Sequence, residues 1–228
     1  MPYRYDVYGL GNAIVDTEVQ VDDTFLTRCH LDKGIMTLVA NDTQSLLRSA
    51  IGDRAQHAAA GGSAANTMVG IAQFGGTACF VGKVGADDQG AFYSASLAEA
   101  GVAFQVAAAK HEPTGSCLVL VTPDGERTMQ TSLSASSGLA VSDINEEEIQ
   151  ASQIVYIEGY LYGSPTAAEA AERAIAIARK SGAQISLSLS DPGIATLFLD
   201  QFRRTTRKFV DIVFCNEHEA GIYAGGGS

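Results

Sequence analysis

A layered α/β domain with a second, smaller β-sheet is the fold class this sequence predicts, and three observations predict it. Short apolar runs ending in glycine or a polar residue alternate with helical patterns, as parallel strands covered by helices do. Three strand-like segments break that rhythm and call for a sheet of their own. Hydrophobic residues make up 46% of the 228 and charged residues 18%, enough apolar side chain for a sizeable core.

The strands of the main sheet are "YDVYGLG" (5–11), "TACFVGKVG" (77–85), "QIVYIEG" (153–159), "AQISLSLS" (183–190) and "VDIVFCN" (210–216). Between them the spacing predicts helices over 64–74, 88–100, 165–181 and 195–203. The third carries Ala167, Ala170, Ala171, Ala174, Ile175 and Ala178 on one helical face. In such sheets ligands bind beyond the carboxyl ends of the strands. The segments that break the rhythm are "TEVQVD", within a strand drawn from about 15–22, "GIMTLVA" (34–40) and "VAFQVAAA" (102–109). The last leads through "EPTG" into "SCLVLVTPDGERTMQTS", a hairpin over about 115–131 turning at Pro123–Asp124–Gly125. Their expected pairing is a small antiparallel sheet.

The net charge of −11 argues against a nucleic-acid or anionic-membrane surface. No run approaches ~18 uninterrupted apolar residues, and the N-terminus lacks signal-peptide character, so the expected setting is the cytoplasm. Cys29, Cys79, Cys117 and Cys215 are widely spaced, and none makes a metal-ligand spacing with the four histidines. Free thiols in a reducing compartment follow.

Several short motifs carry candidate chemistry. "GLGNAIVD" opens as G-x-G, but Ile14 stands where a dinucleotide fold needs a third small residue, and no P-loop occurs anywhere. Asp16 could accept two hydroxyls of a polyol, or simply cap a turn. "HAAAGGSAANT" sets Gly61, Gly62 and Ser63 at the start of helix 64–74, where glycines let a polar or anionic group approach the backbone. Ser63 could equally be the N-cap of that helix, and Asn66 a polar residue on its face. "GKVGADDQG" is a tight loop with an aspartate capping helix 88–100. Arg127 lies beyond the hairpin turn, solvated or swung over a site as a cation. "NEHEA" (216–220) places polar groups at a strand's carboxyl end.

In order along the whole chain, "GLGNAIVD", "AGGSAANT", "FGG…FVGKVGADDQG", "EPTGSCLVLVTPDGERTM", "YIEGYL", "LSLSDP" and "VDIVFCNEHEA" resemble the ribokinase-like (PfkB) carbohydrate and nucleoside kinases, and most closely the adenosine kinases among them. The resemblance implies a three-layer sandwich with a mainly parallel central sheet and a small β-sheet lid closing over the sugar. It implies that Asp16, Gly61, Gly62, Ser63 and Asn66 clamp sugar hydroxyls, with Asn12 in support and Tyr160 near a nucleobase. Arg127 would neutralise phosphates, and Asn216 and Glu219 would match an N-x-x-E motif that organises magnesium and water. The implied reaction passes the γ-phosphoryl group of ATP to a primary hydroxyl of a nucleoside or sugar.

Two departures accompany the resemblance. The family's catalytic base lies in a G-A-G-D motif, and no such motif occurs in this chain. Roughly the last third of the family fold is therefore expected to lie outside these residues, and the 228 residues alone are expected to turn over little or not at all. Ser134 in "SLSAS" stands where close relatives usually have glycine. Two alternatives remain open: a sugar kinase of ribokinase or fructokinase type, and a non-catalytic substrate-binding module. Oligomeric state is not readable, although lid strands could pair between subunits.

Overall fold

The computed structural model describes residues 3–54, 56–104 and 108–225. Along the chain run β1 (Tyr5–Leu10), β2 (Ile14–Gln20), α1 (Asp23–Arg28), β3 (Met36–Leu38), α2 (Asn41–Ile51), β4 (Gln56–Gly61), α3 (Ser63–Gln73) and β5 (Ala78–Val81). Next come α4 (Asp88–Glu99), β6 (Val102–Phe104), β7 (Gly115–Val121), β8 (Arg127–Ser132), α5 (Glu146–Gln150) and β9 (Ser152–Glu158). The last described elements are α6 (Pro165–Ser181), β10 (Gln184–Ser188), α7 (Pro192–Leu197), α8 (Leu199–Phe209), β11 (Ile212–Phe214) and α9 (Glu217–Ala224).

Six strands form a parallel sheet in the order β11-β10-β9-β1-β5-β6. Its central strands are apolar on both faces because both faces are covered. On one side Tyr8, Leu10, Val155, Ile157, Ile185 and Leu187 pack against the alanine face of α6. On the other, Val7, Ala78, Phe80 and Tyr156 meet Ala64, Ala65 and Met68 of α3 and Tyr93 and Leu97 of α4. From β1 the chain works outward to β5 and β6, then returns to β9 and works outward the other way. The carboxyl ends of β1 and β9 therefore form a topological switch point, where a crevice is expected.

Two excursions from this core build the second sheet, ordered β3-β8-β7-β2-β4. Its outer face buries Val19, Leu118 and Leu120 against Phe25 and Leu26 of α1 and Leu47 and Ile51 of α2. Buried Gln44 of α2 donates to the carbonyls of Ser116 (2.9 Å) and Gln130 (3.0 Å) and accepts from Ser116 Oγ (2.6 Å). The inner face carries the alternate residues of the same strands.

Three expectations need correction, and one strand was not anticipated. The small sheet is mixed rather than antiparallel, since β2 runs parallel to β7 and β3 parallel to β8. Of the segment 102–109, Val102–Phe104 belongs to the large sheet, where it pairs with β5 and buries Val102; residues 105–107 lie outside the described residues. A strand-like apolar run does not say which sheet will cover it. The helix over 195–203 is two helices, α7 and α8, meeting at Phe198 (φ −109°). The unanticipated strand is β4, the alanine-rich run that ends in Gly61, and it pairs antiparallel with β2.

Candidate active site

A cleft of about 270 Å³ lies between the carboxyl edge of the large sheet and the inner face of the small one. Asn12, Asp16, Gly62, Ser63, Asn66, Arg127 and Tyr160 all line it. Gly61 does not line it but supports it: a Cβ there would collide with the Asp16 carboxylate. At Gly62 the φ of 96° favours glycine, and a Cβ would strike the Asn12 carbonyl oxygen. The glycine pair thus lets two other parts of the chain approach the backbone.

The floor is organised by a residue the motif search passed over. Glu158 ends β9 only 1% exposed. Its Oε2 accepts from Asn12 N at 2.6 Å, and its Oε1 accepts from Ala64 N at 3.1 Å and from Ser63 Oγ. A carboxylate at the start of α3 suits the positive end of the helix. Burial pushes the Glu158 pKa up, while these donors pull it back. Ser63 is accordingly not the N-cap; Gly62 is, and the Ser63 hydroxyl turns to Glu158. The available signal was the charged residue ending an apolar strand in "QIVYIEG", since a buried charge must find partners. Ser136, fully buried, completes the floor by donating to Asn12 Oδ1 (2.9 Å) and accepting from Ala13 N (3.1 Å). Nothing in the serine-rich run 132–137 distinguished it.

The opposite wall is the inner face of the small sheet. Ile14, Asp16 and Glu18 alternate along β2 with buried Val15, Thr17 and Val19. Asp16 is therefore a strand residue aimed into the cleft, not a cap. Burial raises its pKa to about 6 against the opposing pull of Arg127. Around it Met36, Leu38, Cys117, Met129 and Leu133 form an apolar surface. Cys117 belongs to that surface because burial pushes its thiol up to about 11 and keeps it neutral. Arg127, at the start of β8, pairs with Glu18 at 3.0 Å, both about half exposed.

Tyr160 follows Glu158 in a short 3-10 turn at 159–163, its amide donating to Ser190 Oγ at 3.2 Å. Burial raises the Tyr160 pKa and neighbouring Asp191 raises it further, so the phenol stays protonated. Asp191 caps α7, accepting from Ile194 N at 2.8 Å. Asn216 and Glu219 do not line the cleft. They form the capping box of α9: Asn216 Oδ1 accepts from Glu219 N (2.9 Å) and Glu219 Oε2 from Asn216 N (3.2 Å), while Asn216 Nδ2 also donates to Glu219 Oε1 (2.8 Å). Among the described residues no group of three or more His, Cys, Asp or Glu side chains is arranged to hold a metal ion. A magnesium ion would therefore need phosphate and water ligands beside any protein group.

In the loop before α4, Asp87 accepts from Gly90 N (2.8 Å) and Thr114 N (2.8 Å), tying the root of β7 to the large sheet's domain. No helix among the described residues is long and apolar enough to cross a membrane.

Comparison with known proteins places this geometry. Adenosine kinase 2 of Arabidopsis thaliana is 27% identical over 97% of this chain, which spans 66% of that relative, just under two thirds. The solved structure of an adenosine kinase from Sinorhizobium meliloti is 36% identical with a TM-score of 0.91, over 99% of this chain and 69% of that one. A probable sugar kinase from Rhizobium etli CFN 42 is 35% identical with a TM-score of 0.92, over 99% and 68%. The two-sheet architecture is the ribokinase-like α/β fold of these structures. Residues 31–226 match the model of the pfkB family of carbohydrate kinases, and the chain belongs to that family.

Proposed function

We propose that this chain binds the acceptor of a nucleoside kinase, an enzyme that transfers the γ-phosphoryl group of ATP to a primary hydroxyl. The observation that carries the nucleoside reading is the pairing of Asp16 with an apolar wall. A bare sugar presents hydroxyls in most directions and needs polar partners for each. Met36, Leu38, Met129 and Leu133 offer none, and the Thr131 hydroxyl on the same face donates to the neutral Cys117 thiol (3.2 Å), so the surface suits the face of a planar base. Tyr160, across the cleft, supplies an aromatic surface for stacking.

In this reading Asp16 accepts two ribose hydroxyls, while Ser63 and Asn66 at the head of α3 complete the clamp. Asn12, held by Glu158 and Ser136, keeps the turn between β1 and β2 in place. The small sheet acts as a lid that excludes water and turns the hydroxyl toward the donor. Arg127 offsets negative charge on the transferring group. Magnesium bound to the ATP phosphates would supply further charge neutralisation, and Asn216 and Glu219, at the head of α9 just after β11, would orient its water shell. Neither Glu158 nor Asp191 is assigned the proton of the attacking hydroxyl. The first is saturated by its own chain and the second caps α7.

The sugar-kinase alternative has the Rhizobium etli structure in its favour. Titration calorimetry with adenosine, ribose and fructose separates the readings. Adenosine is expected to bind at least about tenfold tighter than either sugar, since burying a base adds apolar area. Equal or tighter binding of a sugar would overturn the nucleoside reading, and binding of none would overturn both.

A further inference from the structure

Arg127 is the only cation among the described residues that line the cleft, and Glu18 already holds it. The pair bridges across β7: Glu18 stands opposite Val119 and Arg127 opposite Val121, on strands that flank β7 from either side. Asp16, two residues inward on β2, shares the face of Glu18, and His57 is the cross-strand neighbour of Glu18 on β4. With Arg127 neutralised, the carboxylates left among the described lining residues are Asp16 and Glu158, and the oxygens of Glu158 are already taken by Asn12, Ser63 and Ala64. Such a cleft repels an anion and admits an uncharged molecule.

We propose that Glu18 is a placeholder anion, keeping Arg127 from phosphate until a phosphoryl group arrives and taking Arg127 back as the phosphorylated product leaves. The pair is well suited to exchange. Its side chains are 53% and 45% exposed, so breaking it strands no buried charge, and the separation is closed by solvent. A phosphate with several oxygens can displace a single carboxylate contact, whereas a neutral acceptor has no reason to. Glu18 thereby sets which charge state the site prefers: a neutral hydroxyl acceptor is favoured over its own phosphorylated form. The proposal rests on the reading of Arg127 as the group that meets the transferring phosphate, and the nucleoside reading enters only in naming the acceptor.

The test uses inorganic tripolyphosphate as the probe, titrated at low ionic strength into four chains: the unaltered one, E18Q, R127Q and E18Q/R127Q. Glu18→Gln is expected to tighten tripolyphosphate binding about fivefold, the upper range for releasing an exposed pair. The gain should vanish when both chains compared carry Arg127→Gln. Unchanged affinity in E18Q would overturn the proposal. So would an equal gain in the Arg127→Gln background, which would mean a general change of charge rather than release of Arg127. Adenosine titrated in parallel reports on the nucleoside reading alone: its failure to bind would count against that reading and leave the tripolyphosphate result standing.

Discussion

The two sides of the cleft use the same kind of side chain in opposite ways. On the floor, Glu158 is buried and its oxygens accept from Asn12, Ser63 and Ala64, so the carboxylate is satisfied before any ligand arrives. On the wall, Asp16 is half-buried, its pKa is raised mainly by loss of water, and no donor among the described residues is bonded to its carboxylate. One carboxylate holds the chain together, and the other, in the proposed reading, is left open for hydroxyls. The difference follows from position. Glu158 sits where a helix N-terminus and the Asn12 amide converge, while Asp16 sits on the inner face of the small sheet among apolar side chains.

The largest expected effect tests the floor. Glu158→Ala leaves the amides of Asn12 and Ala64 buried without partners and should destabilise the fold by about 3 kcal/mol, measured by urea unfolding. A loss under about 1 kcal/mol would mean that water replaces the carboxylate and that the floor is not the rigid side. Asp16→Asn should do the reverse. It should weaken nucleoside binding about a hundredfold, read by calorimetry, because charge-assisted bonds to two hydroxyls are lost. It should also stabilise the free chain. The folded pKa of about 6 lies above the unfolded value of 3.8, so folding stability falls as pH rises through that interval. At neutral pH the desolvated charge costs about 1 kcal/mol after allowance for water in the cleft, and the amide removes it. Should Asp16→Asn destabilise the free chain, the contrast between the two carboxylates would fail.

A middle-sized effect follows from the same titration. Hydroxyls are best accepted by the ionised Asp16, whose pKa is about 6 in the free chain. Nucleoside affinity should therefore rise about tenfold between pH 5 and pH 7 and then level off. In Asp16→Asn the profile should be flat over that range. A slope that persists in the variant would assign the titration to another group.

The contrast also marks what could be read from the chain itself. The strands in 5–11, 77–85 and 153–159 were legible because burial on both faces leaves apolar runs, whereas 183–190 and the exposed edge strand in 210–216 were legible from their apolar residues and polar ends alone. The wall residues Asp16 and Arg127 were legible as polar groups flanked by strand signals. What escaped detection depends on partners distant in sequence. β4 is half alanine and becomes a strand because β2 pairs with it, Asp16 opposite Ala59. Val102–Phe104 looked like any lid strand until β5 was known to lie beside it. Ser136 is 124 residues from the Asn12 side chain it bonds, and no local pattern encodes that. Asn216 and Glu219 carried a motif, but their mutual capping bonds account for the geometry seen here without any ligand.

The smallest effect concerns the turn that brings the wall back to the floor. Ser134 has φ 44°, the left-handed region where a Cβ is strained, at a position where glycine was expected from the resemblance. Its hydroxyl donates to Asn41 Oδ1 at 2.7 Å, and Asn41 also accepts from Ser132 Oγ. Replacing Ser134 by glycine removes the strain but loses that bond and gains freedom in the unfolded chain. These changes nearly cancel, so Ser134→Gly should lie within about 0.5 kcal/mol of the unaltered chain in thermal unfolding. Ser134→Ala loses the bond and keeps the strain, and should be about 1 kcal/mol less stable than the glycine variant. Inside a helix or strand glycine is the less stable of the two, so the order at 134 tests whether the left-handed turn is real. Alanine equal to glycine would mean that the turn relaxes, and that Ser136 reaches Asn12 by a chain less tightly constrained than its geometry shows.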